Sequence, residues 1–514
     1  MIFKINNTLE DSSISTYKIF IKFILLSIGF FQIIINNFNL QVIFTVFLII
    51  FFTFLTIELF FNKKNLIYYF FPTLLIFSIN VVFLSGPLLF KTIFLQNINS
   101  NLVSPLFSFF YACMYQLTAN LAFLFYKKSY KFINLSKLIA NKIFKRVRLF
   151  EEPNIRYMVF IFFIVFINKY YLNFFDQGLT KTSNFGDIGF KILYKISLFY
   201  YLPLIISFQY FFINKKINNF TFYSIILFYI ISSYILSIAA NRRSDFYTIF
   251  LILFILIFFY KVFLSNKFAH FSKTYILFLI IIIAFSNLFV SSVILDNRSD
   301  RSTLTPKDLM FQSLNRTQQI TPSVNDNSDG MNYTNIEIID RLVQIKFLDY
   351  CLKLSNNLLP RDKQKFNEIV INKHLSIFPQ NFINIFSKNF QKRDYVIATG
   401  SMLENGVYGN YRGGQLNVGS YLAELKVLFN FDIIVFIVVF ILLLLTIIVI
   451  QSFQITTDTE IIFSPVIFVI SPQLFWLVGS DASVLLTYFL VRGLWELALL
   501  YYILFFFSRK KFLN

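Results

Sequence analysis

Uninterrupted apolar runs of about 20 residues dominate the chain, separated by short polar breaks. A helix of that length, rising 1.5 Å per residue, crosses a hydrocarbon layer of about 30 Å. Twelve runs predict membrane-spanning helices, at about 17–36, 40–61, 66–90, 105–126, 157–175, 190–213, 220–240, 245–264, 275–295, 431–452, 461–479 and 483–507. Polar or helix-breaking residues fill the gaps, as in Asn62-Lys63-Lys64-Asn65 and Asn214-Lys215-Lys216. Residues 296–430 differ in kind, being polar and carrying 16 Lys and Arg. Within them, 336–357 and 364–390 place apolar residues at helical spacing and predict amphipathic helices, whereas 302–335 has loop composition. The fold class expected is an all-α polytopic integral membrane protein of about 12 transmembrane helices with one large, mostly helical extracytoplasmic domain. Its parts are a nine-helix membrane region (1–295), the outer domain (296–430) and a three-helix membrane region (431–514).

Composition agrees, with 57% hydrophobic and only 14% charged residues. A net charge of +20 would suggest nucleic acid in a soluble chain. Here the lysines lie between spans, where topology explains them, so the expected partner is the bilayer and not nucleic acid. With the N-terminus in the cytoplasm, the inner breaks collect Lys63 and Lys64, nine basic residues from Lys127 to Arg156, Lys215 and Lys216, Lys267 and Lys273, and the tail cluster Arg509, Lys510 and Lys511. That frame puts both termini inside and 296–430 outside. Residues 1–16 lead into the first run without a small-residue cleavage site and read as part of an uncleaved helix. Cys113, Cys351, His270 and His374 have no metal-ligand spacing. No Walker, dinucleotide or zinc-protease motif is present, so neither metal nor cofactor is expected. His374 reads as a surface residue of the outer domain.

In this frame the turn "ANRRSD" faces outward, against the rule that the other short breaks obey. Arg242 and Arg243 are suited to bidentate binding of phosphate. A plain lipid anchor is the simpler alternative. Six of the 14 glycines fall between 393 and 440, interleaved with Tyr408, Tyr411 and Arg412. Glycines permit turns and close backbone approach, and aromatic faces with fork donors suit a sugar or phosphate; a flexible connector would also look like this. Glu424, expected at the start of the tenth spanning helix, leads a set of outer carboxylates with Glu404, Asp394 and Asp245. A carboxylate there could deprotonate a sugar hydroxyl. Arg492 and Glu496, four apart within the last run, read as a self-neutralising structural pair.

Three stretches carry a family resemblance: "NRRSDFYTIFLILF", "IDRLVQIKFLDYC" with Arg341, and "LSIFPQNFINIFSKN" followed by "NVGSYLAELKVLFNFDIIVFIV". In their order and setting the chain resembles the Wzy-type O-antigen and exopolysaccharide polymerases, over roughly 220–450. It departs from family patterns in having no Arg followed by Gly eleven residues on, and in Ser244 where a glycine commonly follows the arginine turn. The resemblance implies joining of oligosaccharide repeat units carried on undecaprenyl diphosphate, at the periplasmic face of a bacterial inner membrane and without a metal. It also implies working beside a flippase and a chain-length regulator. On this reading Glu424, Arg242 and Arg243 are catalytic, and Asp245, Arg341, Arg393, Glu404, Tyr408, Tyr411 and Arg412 bind substrate. The competing expectations are an O-antigen ligase, which uses the same donor, and a polysaccharide flippase, which would need polar residues along the spans.

Overall fold

The computed structural model describes residues 2–4, 11–151, 155–174, 193, 195–213, 217–239, 244–264, 343–386, 390–395, 399–405, 419–478 and 483–506. Its elements are almost all helices. The N-terminal group is α1 (Asp11–Ile35), α2 (Leu40–Phe60), α3 (Phe70–Ile93) and α4 (Pro105–Lys128). Then come α5 (Ile155–Phe174), α6 (Leu202–Phe212), α7 (Asn219–Ala239) and α8 (Ser244–Phe263). After the 265–342 gap follow α9 (Ile345–Asn357), α10 (Pro360–Leu375), α11 (Tyr421–Phe429), α12 (Asp432–Gln451), α13 (Pro465–Val478) and α14 (Ser483–Leu504).

Among the described residues, seven helices are long and apolar enough to cross a bilayer: α1, α2, α3, Lys195–Phe212, α7, α12 and α14. The chain is therefore a helical membrane protein. The run at 275–295 lies outside the described residues. Lipid-facing surface is visible on α12, where Ile433, Ile437, Ile441 and Leu445 are exposed while Val435, Val439, Leu443 and Ile447 are buried. Both stripes are apolar, as expected of a helix with lipid on one side and protein on the other. Buried amides join the inner helices: Gln116 Nε2 and Asn120 Nδ2 on α4 each donate to Thr56 Oγ1 on α2 at 3.1 Å. Such contacts replace the hydrophobic drive that lipid does not supply between helices.

A three-stranded antiparallel sheet was not predicted. Strand β1 (Ile2–Lys4) pairs with β3 (Glu460–Phe463), which pairs with β2 (Gln454–Thr456). The run expected to form one helix from 461 thus opens as a strand, and its helix starts at Pro465, whose fixed φ and missing N–H suit a first helical position.

The sheet marks one end of the bundle. Phe3 packs on Phe259 and Phe263 at the end of α8, with ring centroids 5.0 and 5.2 Å away. Ser464 Oγ donates to Leu149 O (2.8 Å), Gln451 Nε2 to Tyr68 O (2.9 Å) and Lys127 Nζ to Asn65 Oδ1 (2.6 Å). The basic breaks around Lys63 and from Lys127 to Arg148 gather here. Since α12 has 20 residues, its Asp432 end lies about 30 Å away.

At that far end, α9 is docked on the spanning helices. The buried carboxylate of Asp349 accepts from Val103 N (2.6 Å) and Ser104 N (2.9 Å), just before α4, and from Ser108 Oγ (2.7 Å) in its first turn. Negative charge there satisfies free N–H groups and the helix dipole together. A second tie runs to α3, whose residues Val81–Ser85 form a π-helical turn. Gly86 permits the turn, because a Cβ there would meet Val81 O at 2.2 Å. Pro87 has no N–H to give the preceding turn, and Val82 O instead accepts from Gln344 N at 3.1 Å. Of the amphipathic helices predicted over 336–357 and 364–390, the first is described only from residue 343 and is helical from Ile345 as α9. The second begins earlier, as α10, and breaks after Leu375 before a short helix Gln380–Phe386.

Candidate functional site

Glu424 does not begin the helix of residues 432–451, as the sequence reading expected. It sits on a separate helix, α11, which stops where Asn430 adopts a left-handed conformation (φ 61°) that Asn tolerates better than most residues. Asp432 fixes the corner, 3.3 Å from Lys426 Nζ and accepting from Tyr111 Oη at 3.1 Å. α11 is thereby held at the far end of the bundle, against α9, α10 and the start of α14.

The Glu424 side chain has no exposed surface. Its Oε1 accepts from Ser483 N (3.2 Å) and is hydrogen-bonded to Ser483 Oγ, at the first turn of α14. Ser483 Oγ also lies 3.1 Å from His374 Nε2, and His374 Nδ1 lies 2.8 Å from Val370 O. Glu424 Oε2 is buried with no hydrogen-bond partner among the described residues. Burial pushes the Glu424 carboxyl above its ordinary value, while Ser483, Lys373 and His374 pull it back down. A carboxyl whose ionisation is held up this way, with one oxygen anchored and the other open to a further donor, is equipped to take a proton.

The last spanning helix supplies a second tie. Arg492, in a π-helical turn at Phe489–Gly493, pairs with Glu496 as expected, and its Nη1 donates to Ile377 O at 3.1 Å just past α10. Glu496 also meets Lys195 Nζ (3.2 Å) and Tyr488 Oη (2.9 Å). This cluster anchors α10, and with it His374, to α14.

Of the other residues predicted for the site, Arg242, Arg243, Arg341, Tyr408, Tyr411 and Arg412 lie outside the described residues. Asp245, Arg393 and Glu404 lie on described backbone, in α8, in the turn Lys392–Tyr395 and in the helix Thr399–Asn405; their side chains lie outside the described residues. α8 is 20 residues long and ends at the sheet, so its Ser244 start lies toward the Glu424 end. Among the described residues no three His, Cys, Asp or Glu side chains are grouped to hold a metal ion. His374 and Ser483 were missed by the sequence reading, which placed His374 on the surface. They stand 109 residues apart, and Ser483 is 59 from Glu424. The one available signal was rarity, since the chain has two histidines. Compared with family models, with curated proteins and with solved structures, the chain finds no match in any of the three.

Proposed function

We infer that this chain is a membrane-embedded glycosyltransferase that joins oligosaccharide repeat units carried on undecaprenyl diphosphate into a surface polysaccharide, with Glu424 as general base. The observation that carries the reading is the Glu424 carboxyl, fully buried, with one oxygen unpartnered among the described residues, at the end of the bundle opposite the basic breaks. By the positive-inside rule the basic end is cytoplasmic, so Glu424 faces the periplasm of a bacterial inner membrane. Lipid-linked oligosaccharide is offered at that surface.

Glu424 takes the proton of the acceptor hydroxyl as its oxygen attacks the anomeric carbon of the donor. The donor's glycosidic oxygen leaves with the electron pair on the lipid diphosphate. Arg242 and Arg243, in the turn between α7 and α8, are assigned to that diphosphate, where fixed cations stabilise the developing charge. Arg341, Arg393 and Arg412 are the reserve cations, and Asp245, Glu404, Tyr408 and Tyr411 are assigned to the sugars. The resemblance in the quoted stretches selects polymerisation over transfer to lipid A or flipping. Deletion of the gene in the source strain, followed by gel analysis of surface glycan, tests it. The expected result is loss of the polymer ladder with a single-unit product retained; loss of both would favour a ligase or flippase.

A further inference from the structure

With three protons to share, the Glu424–Ser483–His374 chain makes all of its hydrogen bonds in two arrangements. A carbonyl can only accept, so the 2.8 Å contact to Val370 O puts a proton on His374 Nδ1. Ser483 has one hydroxyl proton, and Oγ is bonded on one side to Glu424 Oε1 and on the other to His374 Nε2. In the first arrangement Glu424 is a carboxylic acid that donates to Oγ, and Oγ donates to Nε2. In the second, Glu424 is a carboxylate that accepts from Oγ, and an imidazolium Nε2–H donates to Oγ. With both groups deprotonated, the lone pairs of Nε2 and Oγ would face each other. With both protonated, the Ser483 proton has an acceptor only when the Glu424 proton sits on Oε2, which leaves Oε1 free to accept. The two satisfied forms differ by two proton hops in one direction and by no heavy-atom movement.

We propose that Ser483 and His374 are the route by which buried Glu424 exchanges its proton with solvent, a relay whose catalytic use rests on the assignment of Glu424 as base. Burial supports the direction: Glu424 has no exposed surface, whereas His374 is partly exposed. The charged and titratable groups acting on Glu424 among the described residues are Lys373 and His374, both on α10, and both favour the carboxylate. In the cycle, the Glu424 proton passes from Oε1 to Ser483 Oγ as the Ser483 proton passes to Nε2, leaving a carboxylate and an imidazolium. Oε2 then takes the acceptor's hydroxyl proton, the imidazolium loses its Nε2 proton to water, and a turn of the carboxyl that brings its O–H back to Ser483 Oγ restores the first arrangement. One proton enters and one leaves. His374 is thus a proton outlet and Ser483 the bridge; neither touches substrate.

Infrared difference spectroscopy of the purified full-length chain in lipid nanodiscs reads this directly, with Glu424→Gln identifying the Glu424 carboxylic band. On transfer to heavy water, the isotope shift of that band should be slowed at least about tenfold in His374→Gln and in Ser483→Ala, whereas Ser483→Thr, which keeps the hydroxyl, should exchange like wild type. A band that exchanges in His374→Gln as fast as in wild type overturns the relay. Polymer formation is the second readout. Ser483→Ala and His374→Gln should lose at least about tenfold, and Ser483→Thr should keep most of it. Slowed exchange together with wild-type polymer yield in Ser483→Ala would leave the relay standing and overturn Glu424 as the polymerase base.

Discussion

At the scale of the residue, a carboxyl group with no exposed surface costs stability unless it is neutral or paired. Glu424 has Ser483 on one oxygen and, among the described residues, no partner on the other, and burial raises its pKa above the ordinary carboxylate value. The consequence for stability has a definite sign. A raised carboxyl favours the folded state while it stays protonated, and that contribution is lost as pH rises from the unfolded value through the folded one. Gln at this position keeps the hydrogen bonding but cannot ionise. Glu424→Gln should therefore unfold at a midpoint near that of wild type in acid and above it at neutral pH. Thermal scans of the detergent-solubilised protein across that range check this; a lower midpoint than wild type at neutral pH would mark Glu424 as a structural residue. Glu424 was legible in the sequence because a carboxylate so close to an apolar run is conspicuous. Its partners were not, because no local spacing links positions 374, 424 and 483.

Elements tell a similar story of what local pattern can and cannot carry. Apolar runs are long enough that most helices could be marked from hydropathy, with ends displaced by a few residues. The sheet could not be: its strands have three or four residues, and the β3 sequence Glu460-Ile461-Ile462-Phe463 merges into an apolar run. The α11–α12 corner was hidden too, since apolar residues continue across Asn430 and only its left-handed backbone separates the helices. Asp349 is the clearest case of an element held by a distant residue. It lies about 245 positions from the Val103 and Ser104 N–H groups that it holds at the entry to α4. Asp349→Ala leaves two backbone N–H groups and a buried hydroxyl without their charged acceptor. The expected cost is about 2–4 kcal/mol, read as a lower unfolding midpoint in detergent. An unchanged midpoint would mean that α9 is not held to the bundle through this carboxylate.

On the scale of the whole molecule, the structure separates two ends, one carrying the sheet and basic breaks and the other carrying Glu424, Asp349 and the α10–α14 contacts. Alkaline phosphatase fused after Gly330 or Arg243 should be active and fused after Lys142 inactive; the reverse pattern would place Glu424 in the cytoplasm. The Glu424 end is the one proposed to join lipid-linked repeat units, with Glu424 taking the proton. The most direct measurement uses purified wild type and Glu424→Gln in proteoliposomes, supplied with undecaprenyl-diphosphate-linked repeat unit from the source strain. Wild type should build a ladder of lengthening products. The Gln variant, reconstituted to the same folded amount, should be slower by about 10²–10⁴-fold. A ladder of equal rate from both proteins would contradict the account.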